Sequence, residues 1–141
     1  MKRNDIVEHA RSWLGVPWRH QGRIRLTGID CVGLPALVGE SLGIWKPIPV
    51  AYPRRPDGKL LDAFRQYLDQ KPMKDAKNGD VLIFAESTHI CHCGIMSTLH
   101  GQPGLIHAHA ARREVIEETM DSARSMIGKP IYCFAFPGVE D

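Results

Sequence analysis

The sequence predicts an α+β fold, with N-terminal helices packed on a C-terminal antiparallel β-sheet. Apolar residues first recur at helical spacing, as in Ile6, Val7, Ala10, Trp13 and Leu14. After the turn Asn78-Gly79 the period changes, and Asp80-Val81-Leu82-Ile83-Phe84 reads as a buried strand. Helices first and strands later is the order of an α+β chain with an antiparallel sheet.

Asn4 is a good N-cap for the first helix, and Gly15-Val16-Pro17 ends its run. Residues 15–29 read as a loop into which Arg19, Arg23 and Arg25 are crowded. An apolar helix follows from about Leu34 and stops at Gly43, with Cys31 at the join. Pro35 lacks a backbone donor, so the start of this helix is irregular or shifted. Pro47, Pro49, Pro53 and Pro56 mark an extended connection in which Arg54 and Arg55 are plain linker charges. Asp57 or Gly58 opens a third helix that buries Leu60, Leu61, Phe64, Tyr67 and Leu68, and Pro72 closes it. Further strands are expected at Cys91–Ser97, Gly104–Ala110, Glu114–Thr119 and Ile131–Phe136, with a short helix at Asp121–Ile127.

A length of 141 residues suits a single domain, 1–141, around one core. A net charge of +2 is too weak to argue for nucleic acid. No stretch is long and apolar enough for membrane insertion. Met1-Lys2-Arg3-Asn4-Asp5 passes straight into an amphipathic helix, so no secretory signal is expected. The four cysteines, Cys31, Cys91, Cys93 and Cys133, show no disulfide-framework spacing, which fits synthesis in a reducing cytosol.

If Asp30 or Cys31 is the N-cap of the second helix, the Cys31 thiol lies at the positive end of a helix dipole. Such cysteines reach pKa values of roughly 3.5–7.5 instead of about 8.5, and the thiolate is the nucleophile. The alternative is a buried cysteine that only packs. In a strand, alternate residues share a face, so His107 and His109 point one way while Ile106 and Ala108 point into the core. His92 lies on the opposite face from Cys91 and Cys93. Cys31, His92 and His107 satisfy the logic of a nucleophile, its base and a group that orients the base, and His109 competes for the third role. A zinc-binding module drawing on His89, Cys91, His92, Cys93, His107 and His109 is a competing reading.

Five segments in order then matter together: Gly15-Val16-Pro17-Trp18, Asp30-Cys31-Val32-Gly33-Leu34, Gly79-Asp80-Val81-Leu82-Ile83-Phe84, His92-Cys93-Gly94-Ile95 and Leu105-Ile106-His107-Ala108. Together they resemble the NlpC-type cell-wall peptidases, which are papain-like cysteine peptidases. Pro17-Trp18-Arg19-His20-Gln21 resembles the branch found in phage tail assembly proteins and gene transfer agents. The resemblance implies cleavage of peptidoglycan stem peptides, typically between γ-D-glutamate and a diamino acid. It makes Cys31 the nucleophile, His92 the general base and His107 the orienting residue, with the Cys31 N–H as an oxyanion donor. It requires no cofactor and no metal. Val32 stands where the family has Ser, and Trp18 where it often has Tyr. Trp18 and Asp30 border the nucleophile and are grouped as substrate-binding. Stem peptides carry carboxylates and Arg binds carboxylates bidentately, so at least one of Arg19, Arg23 and Arg25 is expected to recognise substrate. The absence of a signal fits a chain made in the cytoplasm and delivered to the wall with a phage-like particle, where tail proteins are its partners. A non-catalytic tail-assembly or wall-binding subunit of the same fold is the alternative, and transfer of the acyl group would use the same residues as hydrolysis.

Overall fold

The computed structural model describes residues 2–44, 58–86 and 89–140, with side chains described there except at 58–60, 85–86 and 89–91. The Asp5 carboxylate accepts the backbone N–H of Lys2 at 3.2 Å. Lys2 rather than Asn4 therefore caps helix α1 (Arg3–Arg11). Ile6, Val7 and Ala10 are buried along one face of α1. The helix ends at Arg11, so Leu14 falls in the following turn and is exposed.

The segment expected to be all loop contains a small antiparallel ribbon, β1 (Arg23–Ile24) and β2 (Gly28–Ile29). Two-residue strands are too short to show a period. Helix α2 (Gly33–Ser41) starts two residues after Cys31, with Val32 as its N-cap, and Pro35 sits in its first turn where no donor is needed. Helix α3 (Gly58–Tyr67) buries Leu61 and Phe64, and Leu68 follows it into the core. A short strand, β3 (Asp69–Lys71), intervenes before Pro72. Pro47, Pro49, Pro53, Pro56, Arg54, Arg55 and Asp57, and the side chain of Leu60, lie outside the described residues.

The main sheet adds β4 (Val81–Glu86), β5 (His89–Leu99), β6 (Gln102–His109), β7 (Glu114–Thr119) and β8 (Pro130–Ala135), with helix α4 (Met120–Ile127) between the last two. Its strand order is β3-β8-β4-β5-β6-β7, and neighbours are antiparallel. The fold is the α+β arrangement expected. β7 has the bounds expected of it, β5 runs two residues further at each end, and β6 starts two residues earlier but stops at His109, the two meeting at the two-residue turn His100-Gly101.

Both faces of this sheet are covered. Val81, Ile83, Cys93, Ile95, Ile106 and Ala108 share a core with residues of α1, α2 and α3. Leu82, Phe84, Leu105 and Cys133 meet Met120 and Ala123 of α4 on the other side. Asp80, at the mouth of β4, is fully buried and ties the layers together. Its carboxylate takes Arg3 Nη1 at 2.6 Å, Lys71 Nζ at 2.8 Å and the Lys77 backbone N–H at 2.9 Å. Arg11 grips the Glu117 carboxylate of β7 through Nε and Nη2, the latter at 2.9 Å, and Ser97 Oγ donates to the same group at 2.8 Å. The segment Gly15–Trp18 pairs with the outer side of β7 through Gly15 N–H to Val115 O, Val115 N–H to Val16 O and Trp18 N–H to Arg113 O. That pairing carries the chain from α1 across the end of the sheet toward Cys31.

Candidate active site

Asp30 builds the turn that presents Cys31. Oδ1 accepts the Gly33 N–H at 2.8 Å and Arg23 Nη1 at 3.2 Å, and Oδ2 accepts the Gln21 N–H at 2.8 Å. The first N–H of α2 is thus satisfied by a side chain lying before the cap residue, and Cys31 stays at the positive end of that helix. Position 33 must be Gly, because a Cβ there would lie 2.9 Å from Gly22 O and 3.2 Å from Asp30 Oδ1. Asp30 is 3% exposed and its oxygens face inward, so it shapes the loop instead of facing substrate as expected.

Cys31 is partly exposed, and its carbonyl accepts the Cys93 Sγ–H at 2.9 Å. The neighbouring Cys93 side chain is the main cause of a Cys31 pKa held well below the ordinary thiol value. Burial opposes that shift, the hydrogen bond and charge of His92 reinforce it, and the charge of Asp30 opposes it. Burial and the adjoining thiolate push Cys93 the other way. Cys93, a candidate zinc ligand in the sequence, thus belongs to the nucleophile's surroundings.

His92 Nε2 lies 2.6 Å from His107 Nδ1, and His107 Nε2 lies 2.7 Å from Glu118 Oε2. Position 94 in the His-Cys-Gly run must be bare, since a Cβ there would sit 3.0 Å from the His107 Cβ and 2.7 Å from Leu105 Cδ1. His107 is fully buried, and its pKa is lowered by burial first and by the charge of His92 second. It is therefore neutral. His109 shares the face, with its ring centroid 6.2 Å from that of His92, but its Nδ1 accepts the Arg112 backbone N–H. The group bonded to His92 is thus His107 and not His109. Glu118 carried no signal in the sequence, because one carboxylate in the run Glu114–Thr119 looks like its neighbours until the register places it beside His107.

The arginines separate. Arg23 donates to Gly22 O and Asp30. Arg25 donates to Ser12 O at 2.7 Å and lies 3.9 Å over the Trp13 ring. Arg19 is exposed on the same loop. Trp18 is half-buried, bridged to Ile29 and packed on the core. Of the proposed zinc ligands, the side chains of His89 and Cys91 lie outside the described residues. Cys93 belongs to the helix-side core, and His92 packs near Phe84. Among the described residues no group of three His, Cys, Asp or Glu side chains is arranged to hold a metal ion.

The fold is similar to solved structures along nearly the whole chain. The NlpC/p60 domain of peptidoglycan hydrolase SagA superposes with a TM-score of 0.69 at 20% identity, covering 96% of this chain and 100% of that one. An NlpC/P60 family protein from Bacillus cereus gives 0.72 at 19% identity, covering 96% of this chain, which spans 40% of that longer one. RipD from Mycobacterium tuberculosis, described as a non-catalytic NlpC/p60 domain protein adapted to peptidoglycan binding, gives 0.60 at 14% identity, covering 94% of this chain and 95% of that one. No curated protein matches the sequence. The sequence of residues 15–128 matches the NlpC/P60 family, and that stretch holds Cys31, His92, His107 and Glu118 together; the chain belongs to this family.

Proposed function

We propose that the protein is a cysteine peptidase of peptidoglycan stem peptides, acting through a thioester at Cys31. The observation that carries this reading is the 2.6 Å approach of His92 Nε2 to His107 Nδ1 beside a cysteine whose thiolate is favoured. His107 is neutral and accepts at Nδ1, so His92 donates from Nε2 and keeps Nδ1 for the Cys31 proton. The thiolate attacks the scissile carbonyl, and the Cys31 N–H at the start of α2 serves the oxyanion. His92 passes its proton to the leaving amine, and water then cleaves the thioester with His92 as base. The family match supports peptidoglycan as target, and the resemblance stated above favours the γ-D-glutamyl–diamino acid bond. The segment Pro17–Gln21 favours service on a phage-like particle, where tail proteins would be partners. The proposed domain is the whole chain, 1–141.

A non-catalytic wall-binding role is the second reading, favoured by the likeness to RipD and by Val32. The two readings separate on cysteine chemistry. Alkylation of each cysteine is followed against pH by mass spectrometry, in the wild type and in His92→Ala. The expected result is a Cys31 that reacts as a thiolate well below about pH 8.5, with an apparent pKa that rises in His92→Ala. Muropeptide digestion then follows, and Cys31→Ala abolishes it. A Cys31 that titrates like an ordinary thiol in both proteins leaves only wall binding.

A further inference from the structure

Glu118 lies at the far end of a row of hydrogen-bonded groups and has no part in the reaction just described. Its Oε2 is 2.7 Å from His107 Nε2, and its Oε1 accepts Ser122 Oγ–H at 2.6 Å. It is the second-last residue of β7, and the next residue, Thr119, caps α4 by accepting the Ser122 N–H at 3.2 Å. Ser122 is thus fixed by the helix start, and it fixes Glu118 in turn. The Glu118 carboxyl is held below the ordinary carboxylate value. Burial opposes this, but the hydrogen bonds of Ser122 and His107 outweigh it. An ionised carboxylate only accepts hydrogen bonds.

The protons along the row then follow from this end. His107 Nε2 must carry its hydrogen, because Glu118 has none to offer. A neutral imidazole carries one hydrogen, so His107 Nδ1 is a bare acceptor. His92 Nε2 must then donate across the 2.6 Å gap, which leaves His92 Nδ1 to take a proton from a thiol. Without an acceptor at Nε2, a buried neutral His107 could place its hydrogen on either nitrogen. With it on Nδ1, His107 would donate to His92 Nε2, and a neutral His92 would then carry its hydrogen on Nδ1, where it cannot take the Cys31 proton.

We propose that Glu118 is a positioning residue, held by Ser122, that fixes the His107 tautomer and through it the orientation of His92. This deepens the peptidase reading and rests on it. No proton moves onto Glu118 in the cycle: when the Cys31 Sγ–H proton passes to His92 Nδ1, His92 becomes an imidazolium with both ring hydrogens donated. The charge of Glu118 reaches it through the His107 ring.

The test has two independent readouts. Long-range ¹H–¹⁵N spectra of the imidazoles report tautomers directly, and muropeptide kinetics report use. The wild type is expected to show His107 purely as the Nε2–H tautomer. Glu118→Ala should give a mixture of tautomers and lower kcat by about tenfold with little change in KM, as removal of an outer orienting partner does elsewhere. Glu118→Gln retains an acceptor oxygen and should recover the single tautomer and most of kcat. Ser122→Ala, at an exposed position that tolerates substitution, should shift both readouts in the direction of Glu118→Ala but less. A Glu118→Ala protein that keeps one His107 tautomer and wild-type kcat overturns the proposal while leaving the Cys31–His92 pair standing. An ordinary thiol titration of wild-type Cys31 overturns the peptidase reading instead, and the catalytic use of Glu118 with it. The two failures are thus seen on different atoms.

Discussion

Cys93 places a second thiol against the nucleophile, at a position where a strand-borne core residue would otherwise be apolar. Its Sγ–H reaches the Cys31 carbonyl at 2.9 Å, and the Cys93 side chain is the first cause of the lowered Cys31 pKa. Cys93→Ala is therefore expected to move the Cys31 alkylation midpoint upward. Cys93→Ser, which keeps a donor, should move it less. An unchanged midpoint in Cys93→Ala would assign the depressed pKa to His92 and the helix end alone. None of this was visible in the run Cys91-His92-Cys93, where the second cysteine reads equally as ligand, core residue or spacer. The alternation of a strand correctly set Cys93 opposite His92, but not that both would lower the Cys31 pKa.

At the scale of elements, the ribbon β1–β2 and the loop around it divide the basic residues by task. Arg23 is locked to Asp30 and Gly22, whereas Arg19 stands exposed on the same loop. We therefore expect Arg19→Ala to raise KM for a muropeptide about three- to tenfold with kcat nearly kept, the signature of lost uniform binding. Arg23→Ala should lower kcat and thermal stability together, because it loosens the Asp30 turn that aims Cys31. Equal kinetics for Arg19→Ala and the wild type would remove the carboxylate contact from the substrate site. The sequence showed three arginines in one loop, and only tertiary partners distinguish them: Ser12 and Trp13 for Arg25, Asp30 for Arg23. The helices were legible because Ile6, Val7, Ala10 and Leu61, Phe64, Leu68 keep the helical period. The ribbon and β3 were not, since strands of two or three residues carry no alternation to read. The start of α2 was half legible: Pro35 announced a shifted start, but the cap by Asp30 across two residues depends on the loop's closure.

The whole molecule carries several groups whose ionisation is set by folding. His107 and His109 have pKa values lowered chiefly by burial, and His9 by burial and then by Arg25. A base with a lowered pKa in the native state takes up its proton first when unfolded. Its stabilising effect is present above the ordinary imidazole value of 6.5 and is lost as pH falls through that value toward the native one. Glu117 and Glu118 have lowered pKa values, so their stabilising effect is lost further down, below the ordinary carboxyl value of 4.5. The melting temperature is expected to fall between pH 7 and 5, with the lowered Cys31 thiol adding to that slope, and to fall again toward pH 4. A level profile down to pH 5 would contradict a neutral, buried His107.

The strip Gly15–Trp18 along the outer side of β7 has a consequence beyond delivering the chain to Cys31. It takes up backbone groups of Arg113 and Val115 that would otherwise face outward. At the other end of the sheet stands β3, only Asp69-Gln70-Lys71, short and charged. With the start of β7 covered and the opposite margin short and charged, the sheet gives a second molecule less ladder to extend. Concentrated in solution, such chains are expected to resist joining edge to edge into fibrils, and deleting the strip is expected to raise light scattering on storage.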